Sequence, residues 1–148
     1  MRLRPYRVED LDSVLVVWER ASRTAHSFLP ESFFATERNL LASRFLPRST
    51  TTVAEVDGRV VGFLSRRGHE VGGLFVDPDH QRQGVGRALL DAARRPGEPL
   101  ELDVFEENAT GRAFYAAYGF GVAGRHLDDE VGHHELRLLL PPSGPDSA

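Results

Sequence analysis

The stretch Leu74-Phe75-Val76-Asp77-Pro78-Asp79-His80-Gln81-Arg82-Gln83-Gly84-Val85-Gly86-Arg87 concentrates the chemistry of this sequence. An apolar run ends at Asp-Pro, crosses a loop with two glycines and two arginines, and opens a helix. Glycines let successive main-chain N–H groups turn toward one anion, and a helix N-terminus adds positive potential. Arg82 and Arg87 can add charge-assisted bonds to phosphate oxygens. No Gly-Lys-Ser/Thr follows, so this is not a Walker A loop; a dinucleotide fingerprint would need a third glycine where Leu89 stands. Gly-x-Gly at a strand-to-helix turn also serves purely steric ends, so by itself the loop defines an anion cradle and nothing narrower.

Other polar residues fall at telling positions. Asn108 opens a helical pattern, where Asn commonly caps. Asn108, Arg112 and Tyr115 share one face of that helix by i, i+4, i+7 spacing. Glu70 stands on the strand before the loop and, by simple alternation, on the face of Gly72 and Leu74. His26 lies between two helical patterns, and imidazole titrates near neutral pH. His133 and His134 are neighbours on a strand and point oppositely, so no metal site is expected from them. Asp128-Asp129-Glu130 reads as a solvated turn; if it overhung a substrate cleft it would favour a cation. The absence of cysteine removes disulfides, zinc–thiolate sites and thiol nucleophiles together.

The elements that must position these groups are legible in outline. Arg2-Leu3-Arg4 alternates like a short strand. Leu11, Val14, Leu15, Trp18, Ala21 and Ala25 recur at helical spacing behind Glu9-Asp10, acids that suit a first turn. A second helix is predicted from Pro30 to Leu46, stopped by Pro47, with Phe33, Phe34, Leu40, Leu41 and Phe45 on its apolar face. From Thr50 the period changes to two, and Asp57-Gly58 marks a hairpin. Strands follow at 70–76 and 100–104, each leading into a helix, near 86–95 and 108–118. Two last strands are predicted near 121–127 and 134–140. The order β-αα-βββ-α-β-α-ββ is a mixed α/β layout with one parallel crossover.

Composition sets outer limits. The chain has 148 residues, enough for one core, and 22 acids against 18 bases leave a charge of −4, unlike a nucleic-acid footprint. No apolar run approaches the ~20 residues of a membrane span, and no secretory pattern is visible at the start. A cytoplasmic protein without nucleic-acid or membrane partners is expected. All the bases are arginine, so the chain offers no lysine side chain of its own to modify.

Two segments together resemble a known family. Gln81-Arg82-Gln83-Gly84-Val85-Gly86 is similar to the acyl-CoA pyrophosphate loop, Q/R-x-x-G-x-G/A, of the GNAT superfamily of N-acetyltransferases, and Leu74 to Pro78 to the strand before it. Asn108-Ala109-Thr110-Gly111-Arg112-Ala113-Phe114-Tyr115-Ala116-Ala117-Tyr118-Gly119-Phe120 resembles its second signature, Asn followed by Phe/Leu-Tyr and then Gly-Phe. His26-Ser27-Phe28-Leu29 and the Leu-Phe-Val-Asp-Pro-Asp run resemble the bacterial YjaB-like branch. The resemblance implies one domain over residues 1–140, and the polar, Pro-rich stretch 141–148 reads as a disordered tail. Its fold would be the acyl-CoA N-acyltransferase α/β fold, a mostly antiparallel mixed sheet of about seven strands with helices on both faces.

The same resemblance assigns roles. Main-chain groups of Leu74, Phe75 and Val76 would meet the pantetheine arm of acetyl-CoA, while their side chains pack in the core. Backbone amides of Arg82, Gln83, Gly84, Val85, Gly86 and Arg87 would hold the pyrophosphate. Asn108 would touch the cofactor arm as well as cap its helix, and Tyr115 would protonate the departing thiolate. The strand slot that often carries an acid in relatives is Gly72 here, which leaves Glu70 or His26 as candidates for the general base. The implied activity moves acetyl from acetyl-CoA to a primary amine by direct transfer in a ternary complex. The acceptor would be a protein lysine or, alternatively, a small amine; a non-catalytic acyl-CoA-binding domain is the contrasting class. No metal is implied, and a monomer or homodimer is expected.

Overall fold

The computed structural model describes residues 1–143; positions 144–148, part of the tail expected to be disordered, lie outside the described residues. In chain order the elements are β1 (Arg2–Pro5), α1 (Leu11–Ala25), α2 (Glu31–Leu40), α3 (Leu46–Arg48), β2 (Thr50–Val56), β3 (Arg59–Arg67) and β4 (Glu70–Val76). Then come α4 (Val85–Ala93), β5 (Leu100–Phe105), α5 (Ala109–Tyr118), β6 (Gly121–Asp128) and β7 (His133–Leu140). The strands form one seven-stranded sheet in the order β1-β2-β3-β4-β5-β7-β6. Every neighbouring pair is antiparallel except β4 and β5, which α4 joins by a crossover. Asp57 and Gly58 both take positive φ at the β2–β3 hairpin, as a tight turn matching strand twist requires.

Helices cover both faces of the sheet. On one face α4 packs Val85, Leu89 and Leu90 over Leu64, Val71, Leu102 and Leu138. On the other, α1 and α2 bring Val14, Trp18 and Phe34 against Val53, Phe63 and Phe105. The inward side chains of α1 are those its periodicity singles out. A short 3-10 turn, Val8–Asp10, precedes it, and the guanidinium of Arg4 grips Asp10 through two bonds of 2.8 Å.

Pro47 does not end the second helical segment. The chain widens into a π-type turn at Leu41–Phe45 and continues through α3 to Arg48. Proline inside a regular helix lacks a donor and clashes with the preceding turn. Placed at the start of α3, directly after a turn whose hydrogen-bond register has shifted, it meets neither problem. The displaced turn also leaves Phe45 partly exposed rather than on the apolar face expected of it.

Two irregularities in β4 shape the molecule's centre. The ladder with β3 pairs Gly73 with Ser65 and Val71 with Arg66, so Gly72 is an extra residue in a β-bulge. Simple alternation therefore fails across it. Val71, Leu74 and Val76 all face α4, while Phe75 faces α1 and α2. Glu70, next to Val71, thus shares the face of Phe75 and not that of Leu74, which corrects the expectation from parity. The second irregularity is a splay: β4 and β5 pair only at Glu70 and Glu101. Beyond that point the edge of β4 turned toward β5 has no ladder partner there.

Candidate active site

The splay opens toward the loop after β4, and that loop is tied down at several points. Asp77 accepts from the main-chain N–H of Asp79 at 2.9 Å and from Arg20 of α1 at 2.8 Å. The Gln81 side-chain amide donates to the Val76 carbonyl at 3.1 Å. Arg82 and Gly84 both take left-handed backbone, φ 64 and 84, which turns the following amides to one side. Among the described residues the N–H groups of 82–87 donate to no main-chain carbonyl; the first such bond runs from Ala88 to Gly84 at 3.0 Å. A side chain at Gly84 would meet nothing within 4 Å, so the glycine borders open space. Free amides, a helix N-terminus and two arginines without acid partners together suit a pyrophosphate.

Across the splay, α5 supplies the second polar set. Asn108 caps it: its Oδ1 accepts from Gly111 N–H at 2.9 Å. A Cβ at Gly111 would press into the Asn108 amide, so glycine is needed there. Phe114 lies over Gly86, where a Cβ would come within 3.0 Å of the ring, and this close approach docks α5 on the start of α4. Tyr115 is wedged between Phe114 and Phe120, with ring centroids at 5.3 and 5.5 Å. Burial pushes its phenol well above the usual tyrosine range. It therefore stays protonated, the state a proton donor needs. Tyr118 differs: its hydroxyl donates to Asp91 at 2.6 Å and ties α5 to α4.

His26 is brought to Asn108, which a sequence separation of 82 residues hid. Its Nε2 lies 3.4 Å from Asn108 Nδ2. Because Asn108 Oδ1 already accepts from Gly111, the amide NH2 faces the ring, donates to Nε2, and leaves the imidazole proton on Nδ1. Phe105 and Phe28 flank the ring at 5.1 and 5.9 Å, and burial pushes its pKa down to about 4. The near-neutral titration expected of it is thus displaced, and its acceptor nitrogen is engaged. Glu70 stands at the closed end of the splay, six residues before Val76, a strand length of roughly 20 Å. There Arg137 holds its carboxylate at 2.7 Å and also bonds Glu101 at 3.0 Å.

On the α1–α2 face, over β3 and β4, lies a cavity of about 80 Å³ lined by Trp18, Glu37, Phe63, Gly72, Gly73 and Phe75, among others. Glu37 is absent from the sequence-based candidates. Its signal was an acid in the inward stripe of α2, at helical spacing from Phe33, Phe34 and Leu41. Farther along the same face Asp103, His126 and Glu135 gather within 4.8 Å. His126 lies 3.3 Å from Glu135, and Arg137 lies 3.4 Å from Asp103, so charges there are answered locally. His133 pairs with Glu107 at 2.6 Å.

Comparison with known proteins agrees with this fold. The family profile described as acetyltransferase (GNAT) domain matches residues 47–122, which span β2 to the start of β6. The peptidyl-lysine N-acetyltransferase YjaB of Salmonella typhimurium is 34% identical over 144 residues, covering 95% of this chain and 99% of that protein. The solution structure of apo YjaB from Escherichia coli superposes with a TM-score of 0.82 at 30% identity, over 96% of this chain and 98% of that one. The PaiA N-acetyltransferase of Thermoplasma acidophilum, solved in complex with coenzyme A, shares the fold at a TM-score of 0.74 and 18% identity, covering 95% and 98% of the two chains.

Proposed function

This chain belongs to the GNAT acetyltransferase family, and from that premise we propose that it acetylates the lysine side chains of proteins in the cytoplasm, by direct transfer from acetyl-CoA. The observation that carries the reading is the set of free amides at 82–87 at the open end of the β4–β5 splay, with Tyr115 on the α4–α5 face of the sheet and a cavity holding Glu37 over β3 and β4 on the other face. Similarity to a peptidyl-lysine N-acetyltransferase along nearly the whole of both chains supports the acceptor class.

The residues divide the work as follows. The amides of Arg82, Gln83, Gly84, Val85, Gly86 and Arg87 bind the pyrophosphate, with the two guanidinium groups beside them. The edge of β4 that turns toward the gap, through main-chain groups of Leu74 and the N–H of Val76, lies along the pantetheine arm beside Phe75, and an N–H of that edge polarises the thioester carbonyl. Asn108 borders the arm from the start of α5. Tyr115 gives its proton to the sulfur as the carbon–sulfur bond breaks, which makes the thiol rather than the thiolate the leaving group. Acetyl-CoA supplies the acetyl group and no metal is invoked. Without cysteine there is no acetyl-cysteine intermediate, so the amine attacks the thioester directly.

A thiol-release assay with acetyl-CoA and a panel of lysine-containing peptides, spermidine and an aminoglycoside tests the reading. Lysine peptides are expected to be the best acceptors. Exclusive use of a small amine would reassign the substrate, and no thiol release with any acceptor would leave only a binding domain.

A further inference from the structure

Glu37 is the one acid of α2 turned inward. Phe34 and Leu41 bury their side chains on the same stripe, and Glu37 stands between them, half-buried. It lines the cavity of about 80 Å³ whose walls include Trp18 and Phe63, and whose β4 side is the bulged pair Gly72-Gly73. Those glycines give β4 no side chain at that height. A Cβ at Gly72 would meet only the Ser65 carbonyl, at 3.9 Å, whereas one at Gly73 would press into the Phe75 ring at 2.8 Å, so the open space lies beside Gly72.

Nothing within the described residues answers the charge on Glu37. It enters none of the ion pairs. Arg23 of α1, which lies over the Phe34 ring at 4.7 Å, is committed to Glu19 and Glu31. The charged groups that act on Glu37 are all acids: Glu130 in the β6–β7 turn, Asp128 of β6 and Glu135 of β7. Trp18 and Phe63, which face it from α1 and β3, bring no charge. Burial first, and these three acids next, hold the Glu37 carboxyl above the usual range. An inward carboxylate facing acids and no base is costly to the fold alone. It becomes favourable when a ligand brings an ammonium group.

We propose that Glu37 receives the ammonium of the acceptor in this cavity and takes its proton. The proposal rests on the acyl-transfer reading above. One N–H bond of the ammonium breaks and its proton passes to a Glu37 oxygen. The freed nitrogen pair forms the bond to the thioester carbonyl carbon. The adduct then expels sulfur with the carbon–sulfur pair, and Tyr115 protonates that sulfur. The second N–H proton restores the Tyr115 phenol through solvent, and the proton on Glu37 leaves to solvent, so one proton is released per turnover. A carboxyl held above its ordinary range is a better partner for an ammonium of pKa ~10.4 than an unperturbed one. The two roles stand on opposite faces of the sheet: Tyr115 on the α4–α5 face and Glu37 on the α1–α2 face.

The test compares wild type with Glu37→Gln and Glu37→Asp on two acceptors. One is a lysine-containing peptide or spermidine, whichever wild type uses better. The other is trifluoroethylamine, an amine already neutral at the assay pH. Glu37→Gln is expected to lower kcat/KM for the cationic acceptor by about 10²-fold or more. Trifluoroethylamine should lose less than about tenfold, because its proton is already gone. Glu37→Asp should restore part of the loss. The acidic limb of the wild-type kcat/KM–pH profile should vanish in Glu37→Gln, while CoA affinity by calorimetry and the unfolding temperature hold. Equal losses on both acceptors, or an unchanged rate on the cationic one, would overturn the assignment of Glu37 alone. Wild type that transfers acetyl to neither acceptor would overturn the acyl-transfer reading and this proposal with it.

Discussion

At the scale of single residues, Tyr115 and His26 show how burial selects a protonation state and with it a role. Tyr115, raised by desolvation, stays neutral across the working pH range and keeps a proton to give. Tyr115→Phe is expected to cut kcat by ~10²–10⁴, the usual worth of a positioned proton donor, with CoA affinity unchanged; single-turnover kinetics beside calorimetry checks both halves. His26 is lowered, so its folded state resists protonation while the unfolded chain titrates near 6.5. The unfolded state therefore binds more protons between pH 6.5 and about 4, and stability falls as pH drops through that window. The loss attributable to His26 is on the order of 3 kcal/mol. Urea unfolding at a series of pH values should show this decline in wild type and a flatter curve in His26→Phe. The same shift keeps the imidazole neutral near neutral pH, which neither its residue type nor its loop position revealed. What the sequence lacked was the aromatic neighbourhood: Phe28 is close in the chain, but Phe105 and Asn108 arrive from the far side of the sheet.

At the scale of elements, the strand–loop–helix unit β4–α4 and the capped helix α5 meet through small residues. Gly86 accepts Phe114, and Gly111 accepts the Asn108 amide. Asn108→Ala removes the cap and should cost about 1 kcal/mol of stability, read by chemical denaturation. It also frees His26 Nε2, so the imidazole pKa measured by NMR should move away from its wild-type value. Both helices of this unit were legible from turn chemistry and from two motifs with fixed internal spacing. The bulge was not. Gly72-Gly73 marks flexibility, but no local rule says which residue a neighbouring strand will leave unpaired, and a one-residue slip reversed the face of Glu70. The continuation of the second helical segment past Pro47 escaped for a similar reason. A π-type turn is a register choice made by packing, and it leaves no composition signal.

For the whole molecule, the sheet has helices on two faces, and the proposed chemistry divides between them. The cofactor side is built from α4, α5 and the loop between β4 and α4, all within the family-matched stretch 47–122. The opposite side is built from α1, α2 and the last strands, much of it outside that stretch, where acids predominate. The proposed cofactor half was readable because binding through main chain demands glycines at fixed positions. The proposed acceptor half would use side chains assembled from distant segments, and so Glu37 surfaced only in three dimensions. No helix of the described residues is long and apolar enough to cross a membrane. The most direct test of the account is a calorimetric titration of CoA into wild type and into Gly84→Val. Gly84 holds φ 84, a conformation a β-branched residue adopts only under strain, and it borders the space the pyrophosphate would fill. Wild type should bind at one saturable site, and the variant should bind at least about tenfold more weakly, a difference of ~1.4 kcal/mol; equal affinity in the two proteins, or no binding to wild type, would contradict a cofactor seated on the 82–87 loop.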